Sequence, residues 1–153
     1  MKSLIVSAAT KAFGDVFTKD DYVVAYFKHG NFNFQCVFHE TDRVFRARLF
    51  PLAGLEPIVA PPGRRDAVLQ YFGAVNAVSQ ISDGWLKLHP DGGICCQAEV
   101  VIATGVKNLD DLLPLMVRNA GNTLSLWWPG LAAVINEGTD PMVAFRACKD
   151  GVR

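Results

Sequence analysis

The chain lacks an excess of charge of either sign: fifteen lysines and arginines stand against fifteen aspartates and glutamates, for a formal net charge of zero. That balance removes the broad positive field on which sequence-independent phosphate binding depends, so nucleic acid is not an expected partner. No uninterrupted apolar run approaches the ~20 residues that a spanning helix needs. The opening MKSLIVSAATKAFGD is interrupted by Lys11 and lacks a convincing apolar signal core. The expectation is a soluble, cytoplasmic protein without membrane insertion.

Metal and redox spacings are missing too. The four cysteines are Cys36, Cys95, Cys96 and Cys148, and no two form a C-x-x-C pair. Cys95 and Cys96 are neighbours in an expected strand, so their side chains point to opposite faces and do not readily share an ion or a bridge. His29, His39 and His89 fall at or near strand ends with no short ligand spacing between them. There is no G-x-S-x-G, H-E-x-x-H, phosphate-binding glycine loop or G-x-G-x-x-G. The chain is therefore expected to have no catalytic residues, cofactor or metal. Asp110 and Asp111 stand together at a helix start, where capping and the helix dipole account for them better than acid and base work.

What is present is core-forming material. Half of the 153 residues are hydrophobic and a fifth are charged, which suits one folded domain over 1–153. Residues 3–13 fit a short helix. YVVAYFK at 22–28 has the β-branched and aromatic content of a strand, and His29, Gly30 and Asn31 fit a tight reversal. In NFNFQCVFH, Phe32, Phe34, Cys36 and Phe38 alternate with Asn33, Gln35, Val37 and His39, the period of a strand with one buried face. DRVFRARLF repeats the alternation and should end at Pro51, completing a three-stranded meander.

The proline-rich stretch LAGLEPIVAPPGRR reads as a connecting loop. A helix should follow over 62–82, with Val68, Phe72, Val75 and Val78 as its apolar stripe and Ser82, Asp83 and Gly84 as its stop. GWLKLHPDGGICCQAEVVIA reads as a hairpin around Pro90–Gly93. Within it Cys95, Gln97 and Glu99 are expected on the wet side and Cys96, Ala98, Val100 and Ile102 on the apolar side. After a loop from Thr104 to Asn108, a long helix should begin near Asp110 or Asp111 and carry Leu113, Met116, Val117, Ala120, Leu124, Trp127 and Leu131 on one face. Pro129 should kink or divide it. Thr139 and Asp140 then fit the cap of a last helix starting at Pro141. The expected class is α+β: a mainly antiparallel five-stranded sheet packed against helices.

From about Leu69 to Arg146 the chain resembles the YbjN-like family of bacterial sensory transduction regulators. The resemblance rests on YFGAVNAVSQ with its asparagine, the GWLKLHPDGGICCQAEVVI hairpin, and WWPGLAAVINEGTDPMVAF with its proline after two aromatics. It implies a fold akin to type III secretion chaperones, a role in regulation or protein binding, and no catalytic residues to transfer.

Tryptophan is over-represented at the energetic centres of interfaces, so Trp85, Trp127 and Trp128 are candidate protein-interaction residues. Neighbours on a helix point about 100° apart, so Trp127 and Trp128 cannot both face one core squarely. Arg43, Arg46 and Arg48 form a positive row on the third strand that suits a solvated face. The first functional expectation is a non-enzymatic protein-interaction module, chaperone-like or regulatory, working as a homodimer. The alternative is a small-ligand-binding domain or enzyme with a pocket between the sheet and the long helix, with Tyr26, His39, Arg46 and His89 as its polar groups.

Overall fold

In a computed structural model of the protein, residues 2–41, 44–79, 84–101 and 108–151 are described. They form α1 (Lys2–Phe13), β1 (Val16–Lys19), β2 (Tyr22–His29), β3 (Phe32–Glu40), β4 (Val44–Ala53), β5 (Glu56–Pro57), α2 (Arg65–Val78), β6 (Trp85–Leu88), β7 (Ile94–Val101), α3 (Leu109–Ala132) and α4 (Pro141–Gly151). Among the described residues every strand pairing is antiparallel. The sheet order is β1-β2-β3-β4-β7-β6, with β5 paired to β4. The expected α+β class is the one adopted, with seven strands in place of five.

The two additional strands are short. VFTK in β1 covers two alternations, and its turn into β2 rests on Asp20 in the left-handed region at φ 51°. Two residues of β5 pair with Leu52 and Ala53, too few for any periodic signal. β4 also runs through Pro51 to Ala53 instead of stopping. The Pro51 carbonyl accepts from the Ile58 amide at 2.9 Å, and proline's missing donor falls on that same edge, where the chain has left β7.

The helix expected over 62–82 begins as a tight turn at Pro62–Arg64 and is α-helical only from Arg65 to Val78. Ser79 ends it: its amide and hydroxyl both donate to the Val75 carbonyl at 3.0 Å, and its backbone is extended. Ser82, Asp83, Arg43, Ile102 and residues 104–107 lie outside the described residues.

Helices α1, α2 and α3 pack on one face of the sheet, and α4 packs on α2 and α3. The inward row holds Val23 and Ala25 of β2, Phe34, Cys36 and Phe38 of β3, Phe45, Ala47 and Leu49 of β4, and Cys96 and Ala98 of β7, each at most 4% exposed. Phenylalanine rings tie the layers together. Phe13 of α1 lies 4.9 Å from Phe27 and 6.1 Å from Phe38, and Phe38 lies 6.1 Å from Phe45. Fully burying such a ring stabilises the fold by roughly 1.5–3 kcal/mol.

α3 buries the expected stripe from Leu113 to Leu131. It passes through Pro129 undivided, and the break comes after Ala132, as a wide π-helical turn over Ala133–Glu137 closed by Gly138. Nor does an aspartate cap its start. Asn108 occupies the cap position without a side-chain cap bond; its amide donates to Asp111, and Asp110 pairs with Lys11 at 2.7 Å. In α4 the expected cap is present, with Asp140 Oδ1 accepting from the Met142 and Val143 amides at 2.9 and 3.1 Å.

Two contacts lock α2 into place. The Asn76 side chain donates to the Leu86 carbonyl at 2.9 Å and accepts from the Leu86 amide at 2.8 Å. It thereby stands in for a neighbouring strand at the outer edge of β6. The fully buried Tyr71 donates its hydroxyl to the Trp127 carbonyl at 2.7 Å, across to α3. This approach needs a glycine at 130: a Cβ there would lie 2.3 Å from Tyr71 Oη and 2.9 Å from Cys148 Sγ.

Candidate functional site: the helix-free face of the sheet

Because successive strand side chains alternate, a sheet with all its helices on one side presents its second face without them. The register aligns that face in three rows. Lys19, Tyr22, His39, Arg46 and Glu99 lie across β1, β2, β3, β4 and β7. Phe17, Val24, Val37, Arg48, Gln97 and Trp85 form the next row, extending to β6. Tyr26, Gln35 and Phe50 form the third.

The face is aromatic at the β1–β2 end and polar in the middle. Phe17, Tyr22 and Tyr26 are 60, 37 and 46% exposed. Phe17 meets Tyr26 edge-on at 6.2 Å, and Tyr22 lies 4.9 Å from the His39 ring. Tyr26 Oη accepts from the Gln35 amide at 2.8 Å. Toward β7 a hydrogen-bonded chain crosses the strands. Arg46 Nε donates to Glu99 Oε1, which also accepts from Gln97 Nε2 at 2.7 Å, while Gln97 Oε1 accepts from Arg48 Nε at 2.8 Å.

Cys95 and Gln97 do face this side, as their alternation predicts, yet they are only 1 and 3% exposed. β7 is an interior strand, and the longer side chains of β4 and β6 on either side, Arg48, Trp85 and Lys87 among them, shield it. Burial pushes the Cys95 thiol up to about 11, with Arg48 and Lys87 pulling the other way.

At one end the face deepens into an open groove of about 580 Å³. Gln35, Val37, Arg48 and Phe50 make its floor. Glu56, Pro57 and Val59 form one wall, and His89, Asp91 and Gly93 the other. The walls are held firmly. Ala60 N donates to Gly92 O at 2.8 Å, Ile94 N to Ile58 O at 3.0 Å, and Arg65 of α2 reaches Asp91 O at 2.9 Å. Asp91 Oδ1 accepts from the Gly93 amide at 2.7 Å. That bond first, and then the His89 ring, hold its carboxyl below the usual carboxylate range. His89 Nδ1 lies 3.0 Å from the same oxygen but satisfies no hydrogen-bond geometry. Distance alone sets a charge attraction, so the contact is electrostatic and strongest when the ring is protonated.

The three tryptophans are not brought together. Trp127 is 7% exposed and stacks on Phe145 of α4 at 5.6 Å. Trp128 is half-buried and meets Phe32 edge-on at 5.0 Å, at the seam between α3 and the start of β3. Trp85 alone is on the helix-free face, half-buried opposite Gln97. The four polar residues expected in a pocket between sheet and long helix stand elsewhere. Tyr26, His39 and Arg46 are on the helix-free face, and His89 lines its groove. The sheet–α3 interior is filled with apolar side chains. His29 points to another region, with Nε2 2.7 Å from Asn122 Oδ1 of α3.

Phe17, Tyr22 and Phe50 went unmarked because each is one aromatic in a strand with many. Only the inter-strand register reveals that they share a face. Among the described residues no three His, Cys, Asp or Glu side chains converge as metal ligands, and no helix is long and apolar enough to cross a membrane. No protein-family model matches the chain, and no curated protein or solved structure matches it.

Proposed function

We propose that this chain is a non-enzymatic protein-interaction module with a chaperone-like or regulatory role, and that its partner docks on the helix-free face of the sheet. The observation that carries this is the exposure of Phe17, Tyr22 and Tyr26 together on that face. Large aromatic side chains on a rigid strand scaffold give contact area at low entropic cost, and tyrosine keeps a polar tip for a partner's backbone. The partly buried polar chain beside them is linked by its own hydrogen bonds, so it presents a preorganised surface. The resemblance to YbjN-like regulators supports the same class of role. A homodimer is the simplest assembly for such a module and is read directly by sedimentation velocity.

The test is competitive capture of an identified partner by three forms of the protein. The double variant Phe17→Ser, Tyr26→Ser should bind at least about tenfold more weakly, the loss expected for removing two anchoring aromatics. The control Leu126→Ser, Val143→Ser alters the groove between α3 and α4 and should bind as the parent does. The opposite pattern would move the partner to the helical side and sink the assignment.

A further inference from the structure

The polar chain across β4 and β7 does not balance its charge. Two guanidinium groups and one carboxylate take part: Arg46 is paired to Glu99, whereas Arg48 bonds to the neutral amide of Gln97. Among the described residues Arg48 has no carboxylate partner, and it is half-buried in the floor of the groove. A guanidinium partly removed from water gains from an anionic partner, and its planar fork matches a carboxylate's two oxygens.

The surroundings specify the rest of the ligand. Tyr22, Phe50 and His89 bring flat rings to the groove, with His89 set edge-on to Phe50 at 6.1 Å, and Val37, Pro57 and Val59 add apolar wall. The volume of about 580 Å³ is in the range of roughly 300–1,000 Å³ that small-molecule sites occupy. Two carboxylates also line the groove. Asp91 is engaged by the Gly93 amide and faces His89, and Glu56 is exposed on β5. Their presence limits the ligand's charge, because one arginine offsets one negative charge and a dianion would meet both carboxylates with its second.

We propose that this groove is a binding site for a small planar monocarboxylate, an aromatic or conjugated acid whose carboxylate pairs with Arg48 and whose ring lies among Tyr22, Phe50 and His89. The site rests on different observations from the partner-docking role proposed above, although it shares that face and its Tyr22.

Calorimetric titration with four probes of one shape tests it: 2-naphthoate, the neutral 2-naphthalenemethanol, the cationic 2-naphthylmethylamine and the dianionic 2-naphthyl phosphate. Naphthoate should bind at least about tenfold more tightly than the alcohol, the fold-change that one charge-assisted pair supplies. The amine and the phosphate should both be weaker than the carboxylate. Arg48→Gln should erase the preference for naphthoate over the alcohol, and Glu56→Gln should leave naphthoate affinity undiminished. If Arg48→Gln does not fold, the probe ranking in the unaltered protein decides. No naphthoate binding at 5 mM (about 3 kcal/mol at most), equal affinity for acid and alcohol, tighter binding of the phosphate, or an Arg48→Gln protein that keeps the preference would each overturn the proposal. Phe17 does not line the groove, whereas Tyr26 is bonded to Gln35 of its floor, so the single variant Phe17→Ser keeps failure here and failure of partner docking separable.

Discussion

Replacing Gly130 by alanine probes the junction on which three helices meet. A Cβ at this position would stand 2.3 Å from Tyr71 Oη, 2.9 Å from Tyr71 Cε2 and 2.9 Å from Cys148 Sγ. Tyr71 has no solvent exposure, so its ring cannot swing out to make room. Either α3 lifts from α2, an overpacking strain of about 1–3 kcal/mol, or the hydroxyl leaves the Trp127 carbonyl, stranding a buried polar group at about 1–3 kcal/mol. Alanine's helical preference over glycine returns about 1 kcal/mol. With both costs partly incurred, the net destabilisation is about 3 kcal/mol, a fall in Tm of about 6–12 °C for a domain of this size.

Urea and thermal unfolding followed by circular dichroism measure it, with two companions. Gly73 is exposed in α2, and a methyl group added there would meet nothing within 4 Å. Gly73→Ala should therefore stabilise the protein by about 0.5–1 kcal/mol. In a Tyr71→Phe background, the cost of Gly130→Ala should drop by about 1 kcal/mol or more, because the closest clashing atom is gone. If Gly130→Ala is neutral or stabilising, as propensity alone requires, the close approach of α2 and α3 is not what demands glycine there.

Three further outcomes are expected. Asn76→Ala should cost about 2 kcal/mol in urea unfolding by stranding both backbone groups of Leu86, and Asn76→Asp, which keeps the acceptor and loses the donor, should not restore it. Asp140→Ala should cost about 1 kcal/mol through the two α4 amides it releases; a change near zero would mean that water replaces the cap. Stability should fall as pH rises from about 9 to about 11, because burial holds the Cys95 thiol neutral in the folded protein up to about 11. A raised folded-state value contributes stability below the unfolded value and loses it above, here at most about 2–3 kcal/mol. Cys36 is raised for the same reason. The drop in urea midpoint between pH 8 and pH 10.5 should therefore be shallower in Cys95→Ala, and an identical drop would refute the assignment.

Much of the fold was legible along the chain because its signals are local. The alternation from Phe32 to His39 depends only on which side of one strand meets the core, and it appears intact as β3. The stripe from Leu113 to Leu131 and the Asp140 cap are likewise decided within one helix or one turn. Local signals failed where length or neighbours intervene. β1 and β5 are too short to show a period, Pro51 is tolerated because its missing donor faces the edge that β7 has already left, and Ser79 ends α2 before the residues that punctuation alone suggested.

The candidate site was least legible. Tyr22, Arg48, Trp85 and His89 are spread over sixty-odd positions of chain, and each looks like an ordinary strand or turn residue. Composition and periodicity determine that this chain builds an antiparallel sheet under amphipathic helices, since burial of apolar area requires that pattern regardless of neighbours. Which residues share the uncovered face, which arginine meets a carboxylate, and that Trp127 is core while Trp85 is not, are set by register and packing. Those relations join residues distant in the chain, and only the folded structure brings them within a few ångströms of one another.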